Sequence, residues 1–169
     1  MHAATLNALA SFPDQLAAFY AEVPVGYETF VPDVWDGVPS EALSPLAQLC
    51  HVRDIEIDGY HLRLQRTLDE DRPLLASIDT DALVIERDYA HADAAQVLAT
   101  FRVAREQTME LLRRIEPPQW ERTAVFEGYG ALTLRSLVHY LASHDQQHLA
   151  GLQWLLGKID AARHAGGVS

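Results

Sequence analysis

Cysteine is nearly absent: Cys50 is the only one among 169 residues. A single thiol excludes an intramolecular disulfide and any Cys-rich zinc module. Basic residues are scarce too, 13 Lys and Arg against 24 Asp and Glu, a formal charge of −11 at pH 7. A surface that tracks phosphates needs clustered Lys and Arg, and no such cluster is present, so nucleic acid is not an expected partner. The same deficit argues against docking on anionic lipid. No run reaches the roughly 18 apolar residues that a membrane span requires. The stretch MHAATLNALASFPDQLAAFYAEV lacks a basic leader, and Asp14 and Glu22 interrupt its apolar residues. The expected location is therefore cytoplasmic, with no membrane partner.

What remains is the composition of an ordinary globular protein, 49% hydrophobic and 22% charged. At about 100–200 residues per domain, the length implies one domain across residues 1–169. Eight histidines stand against the single cysteine. A soft or borderline metal bound here would have to be held by imidazole.

Four segments carry helical apolar spacing. The first, Thr5 to Glu22, contains Pro13, which predicts either a start near Ser11 and Phe12 or a kink. Pro24 to Pro39 reads as a long loop holding Tyr27, Phe30 and Trp35. Ser44-Pro45 supplies a cap and a first-turn proline for a second helix ending near Leu68. The acidic stretch Asp69 to Ala90 reads as a solvated surface loop with a short helical turn at Thr80–Arg87. The third helix spans Asp93 to Ile115 and stops before Pro117-Pro118. A connector with a Gly128-Tyr129-Gly130 turn follows. Thr133 caps the last helix, which is expected to stop at Gly157, with a frayed tail ARHAGGVS. The expected fold is all-α, a four-helix bundle with long connecting loops and room for a non-sequential topology.

His144 and His148 lie at i and i+4 in S-H-D-Q-Q-H-L. Four residues turn a helix by about 400°, so both imidazoles share one face, one turn apart. Two nitrogens so placed suit a zinc-type ion. Asp145 and Gln146 stand where a helical metalloprotease motif needs its Glu, which excludes that reading. His51, mid-helix in L-A-Q-L-C-H-V, is the best candidate for a third ligand. His139 lies about 140° round the helix from His144 and should not join it. His61 points away from His51, and His2, His91 and His164 read as solvent-exposed. Asp54, Glu56 and Asp58 read as a solvated acidic face, and Cys50 as a small buried apolar residue. Tyr140 and Gln147 flank the histidine pair. Trp35, Trp120 and Trp154 read as core or interface aromatics, with Trp154, Leu155 and Leu156 available to pair two copies.

Three segments together resemble the DinB-like superfamily of bacterial four-helix-bundle proteins: SPLAQLCHVRDIE, LLASIDTDALVIERDYAHADAAQVLATFRVARE and LTLRSLVHYLASHDQQHLAGLQWLL. The resemblance runs from about Leu43 to Leu156. It implies a divalent metal, zinc or nickel, bound by one histidine of the second helix and two of the last. On this chain these positions are His51, His144 and His148. Three neutral imidazoles leave such an ion its full +2 charge, which lowers the pKa of a bound water or thiol towards neutrality. Some relatives transfer bacillithiol- or mycothiol-type thiols onto electrophiles, and others are described as hydrolases. The resemblance thus implies a small-molecule substrate, a low-molecular-weight thiol or water as nucleophile, and a homodimer. The rival expectation is a non-catalytic metal-binding protein of stress response or interaction.

Overall fold

The computed structural model describes residues 3–166; His2 and the end of the ARHAGGVS tail lie outside them. Four long helical stretches make the bundle. These are α1 (Ala3–Tyr20); a continuous second helix comprising α2 (Pro45–Asp54), a π-helical segment (Ile55–His61) and α3 (Leu62–Asp69); α5 (Ala94–Arg114); and α6 (Leu134–Gly166). A short α4 (Thr80–Glu86) lies in the long connection. Helices α1 and α2 each pack on both α5 and α6, so α1 and α2 occupy one diagonal of the bundle. The topology is therefore non-sequential, as the two long connections permit. Among the described residues no helix is long and apolar enough to cross a membrane.

The helix ends follow the local chemistry. Ser44 Oγ accepts the amide of Ala47, and Pro45 occupies the first turn of α2. Asp93 Oδ1 accepts from Gln96 N at the start of α5, and Thr133 Oγ1 from Ser136 N at the start of α6. Gly157 does not end α6. It is not among the glycines with positive φ, and Ile159 beyond it is fully buried, so apolar packing carries the helix to Gly166.

The connector between α5 and α6 contains strands that the sequence pattern did not reveal. Strand β2 (Thr123–Phe126) pairs antiparallel with β3 (Gly130–Thr133) and parallel with β1 (Leu74–Leu75). Gly128 and Gly130, at φ 81° and 80°, make the turn. Strands of two to four residues are too short to show alternation. The small sheet brings Phe126 and Tyr129 against the bundle.

Pro13 neither starts α1 nor stops it. Phe12 and Leu16 are fully buried around it, and the helix runs from Ala3. A proline at position i lacks the N–H that would bond the carbonyl four residues earlier, here that of Leu9. Arg105 Nη1 takes this carbonyl at 3.0 Å. The same guanidinium, almost wholly buried, holds Glu56 through Nε and Nη2 (2.9 and 3.0 Å) and Asp145 through Nη1 and Nη2 (2.6 and 3.0 Å). Thr108 Oγ1 donates to Glu56 at 2.6 Å.

The expected solvated acidic face is thus corrected. Asp54 and Glu56 are each 1% exposed, and of the three only Asp58 is exposed as expected. Asp54 accepts from Arg53, from Arg87 at 2.8 Å and from the Tyr89 hydroxyl at 2.6 Å, which ties the connection after α4 to α2. Burial pushes the Asp54 carboxyl up, but these donors and charges outweigh it and leave it below its usual range. The partners that bury both acids come from elements distant in sequence.

Arg105→Leu leaves two buried carboxylates without their cation and should cost roughly 3–5 kcal/mol of unfolding free energy in urea. Adding Glu56→Gln and Asp145→Asn should recover part of that loss. A cost below about 1 kcal/mol for the single change would mean that the helices do not depend on this contact.

Candidate metal centre

The capped start of α2 sets the phase of its turns and carries His51 into the bundle, where it is 1% exposed. From α6, His148 is fully buried and His144 half-buried. His144 Nε2 lies 3.1 Å from His51 Nε2 and 3.1 Å from His148 Nε2. The three donors lie within 4.8 Å of one another, a group that can hold a metal ion. Nitrogens bound to zinc at tetrahedral angles are about 3.3 Å apart, so the spacing fits such an ion closely. The sequence-derived triad is thus brought together, and the other described histidines stay away from it. His61 Nε2 contacts Ala104 O and Thr108 Oγ1, His139 Nδ1 contacts Thr5 Oγ1, and His91 and His164 are exposed.

The tautomer of His148 is fixed by a residue that sequence reasoning missed. Gln48, one turn before His51 and fully buried, donates through Nε2 to the carbonyls of Leu43 (3.3 Å) and Glu41 (3.4 Å). That leaves Gln48 Oε1 to accept from His148 Nδ1–H, so the bare lone pair of His148 Nε2 faces the other two imidazoles. Gly151, one turn beyond His148, makes this approach possible. A Cβ there would collide with Ser40 Oγ and sit 3.2 Å from Gln48 Nε2.

Electrostatics keep the donors neutral. Burial lowers His144 and His148 well below the usual imidazole value, and the neighbouring imidazoles add to it; Arg105 and Arg63 also act on His144. Burial lowers His51 against the opposing pull of Glu41 and Asp54. Beside His144, burial pushes the Asp145 carboxyl up to about 7 despite Arg105.

His51 and His144 form part of the wall of a cavity of about 410 Å³. Glu41, Tyr60, Arg63, Phe126, Tyr129, Tyr140 and Gln147 also line it. Tyr129 and Tyr140 are exposed at its edge with ring centroids 4.9 Å apart. Glu41, 49% exposed, sets Oε2 3.3 Å from His148 Nε2 and Oε1 4.0 Å from His51 Nε2. Nothing in S-E-A-L marked Glu41, because the turn before α2 folds it over the triad. Cys50 lies outside the cavity in the apolar core, its thiol pushed up to about 11 by burial. Trp154 packs edge-on against Trp35 at 4.8 Å, and Leu155 is fully buried within the chain.

The sequence matches the DinB superfamily over residues 1–152. The chain belongs to the DinB superfamily. Among solved structures, this DinB-superfamily chain is similar to YfiT from Bacillus subtilis, with a TM-score of 0.78 at 20% identity. The match covers 92% of this chain and 86% of that one. YfiT is described as a probable metal-dependent hydrolase with an unusual four-helix bundle topology. The shared architecture is the four-helix bundle. No curated protein matches the sequence.

Gln48→Ala removes the acceptor that fixes His148 and should weaken divalent-metal affinity about 10–100-fold, with the helical content retained. His61→Ala should leave that affinity unchanged. Equal affinities for wild type and Gln48→Ala by competition with a chromogenic chelator would contradict the role of the amide.

Proposed function

We propose that this DinB-superfamily protein is a metal-dependent enzyme acting on a small molecule, with His51, His144 and His148 holding zinc or nickel. The observation that carries this reading is that three imidazoles converge and two of them, His51 and His144, line a solvent-reached cavity. A purely structural ion needs a full set of protein ligands and no adjoining space, whereas a catalytic one keeps a position open. This favours catalysis over the non-catalytic alternative.

A divalent cation at the triad would supply Lewis acidity, making a water or thiol nucleophilic near pH 7. The chain's own residues do the rest. Gln48 holds His148 in the tautomer that presents Nε2. Glu41, whose carboxylate lies closest to the triad, is placed to accept the proton that the nucleophile loses and to return it to the leaving group. Tyr60 and Phe126 give the cavity apolar walls. The nucleophile comes from solution, because Cys50 is buried away from the cavity with its pKa raised. Water makes the reaction a hydrolysis, the activity ascribed to YfiT. A low-molecular-weight thiol makes it an S-transfer.

Protein purified without a histidine tag should carry about one zinc or nickel per chain by mass spectrometry, and His148→Ala should carry almost none. Chelation should abolish turnover of an ester panel or of a thiol with an electrophile, and added Zn²⁺ or Ni²⁺ should restore it. Full metal content in His148→Ala would overturn the assignment.

A further inference from the structure

Two arginines among the described residues are more than nine-tenths buried, Arg105 and Arg63. Their surroundings differ sharply. Arg105 has two carboxylates, whereas Arg63 has none within ion-pair distance. Arg63 Nε and Nη2 both donate to one carbonyl, Ala76 O, at 3.3 and 3.1 Å. The guanidinium carbon lies 4.5 Å from the Phe126 ring centroid and 5.3 Å from that of Tyr60. Nη1 has no acceptor among the described residues, and it lies close over Gly59 of the π segment, where a Cβ would come within 2.8 Å of it. Nη1 is not a buried unpartnered atom, so this mostly buried cation without an acidic neighbour keeps one donor edge open at the cavity, where an anion can take it. Burial accordingly pulls Arg63 below the usual arginine value, the reverse of Arg105.

Arg63 lines the same cavity as His51 and His144. Tyr129 shares that lining, and its hydroxyl can add a hydrogen bond to an oxyanion. Glu41 also lines the cavity but forms no ion pair with Arg63. We infer that Arg63 is the anchor for a carboxylate carried by the small-molecule substrate or cosubstrate, an inference that rests on this cavity being the reaction site. A carboxylate held at Arg63 leaves the other end of the same molecule free to reach the histidine triad. The volume, about 410 Å³, suits a metabolite-sized molecule.

The test uses the zinc-loaded full chain and thiol probes, since thiolates ligate zinc. Mercaptoalkanoates from 3-mercaptopropionate to 6-mercaptohexanoate are titrated calorimetrically beside their neutral amides at fixed ionic strength. At least one acid should bind about tenfold or more tightly than its amide. In Arg63→Gln that preference should fall below about threefold, with zinc content and amide affinity unchanged, and Arg63→Lys should keep part of it. Equal affinities of acid and amide on wild type at every length would overturn the inference, as would a preference that survives in Arg63→Gln. If Arg63→Gln does not fold, the wild-type comparison and Arg63→Lys still decide, because loss of all preference in folded Arg63→Lys is not expected. Failure of the metal site itself is read separately, as zinc content well below one per chain or as no binding of either probe class; the latter also overturns the anchor.

Discussion

Arg105 is one buried cation touched by all four long helical stretches. It sits on α5, accepts the company of Glu56 from the π segment and Asp145 from α6, and bonds the Leu9 carbonyl of α1. Desolvating a guanidinium costs several kcal/mol unless its donors find charged or carbonyl acceptors. Any slip of one helix by a turn would strip an acceptor away. The contact therefore fixes register among the helices, which apolar packing alone constrains less sharply. Pro13 takes part in it by leaving the Leu9 carbonyl without a helical donor. Asp145 is the neighbour of His144, so the same contact fixes α6 where the imidazoles converge.

The site has the opposite electrostatic character. Burial suppresses protonation of His51, His144 and His148, two nearby arginines add to this at His144, and Gln48 directs one lone pair of His148 inward. Imidazoles kept neutral in this way are ligands that need no proton removed before binding. The acidic groups near the donors fall into two sets. Glu56 and Asp145 are engaged by Arg105, while Glu41 reaches over from the loop before α2. An inward-facing basic triad beside a cavity with one accessible carboxylate is an arrangement suited to activating a nucleophile from solution.

Much of this was legible in the residues themselves. Ser44-Pro45, Asp93 and Thr133 act locally, the three caps each through the amide three residues ahead, so the sequence shows where helices begin. The i,i+4 histidines and the mid-helix His51 were visible because helical geometry fixes their faces. Features that depend on distant partners were not. The burial of Asp54 and Glu56 comes from Tyr89, Arg87 and Arg105, and the persistence of α6 past Gly157 from the packing of Ile159. Glu41, Gln48 and Arg63 acquire meaning only when a loop, a helix turn and the small sheet close around the triad. The strands were hidden by their brevity.

The proposed site is a divalent ion held by His51, His144 and His148 beside an open cavity. X-ray absorption on the zinc-loaded protein, with and without added thiol, tests it most directly. The expected shell is three imidazole nitrogens plus at least one light-atom ligand that sulfur replaces when thiol is added. A closed shell of four protein ligands that thiol leaves unchanged, or a shell with fewer than three imidazoles, would contradict it.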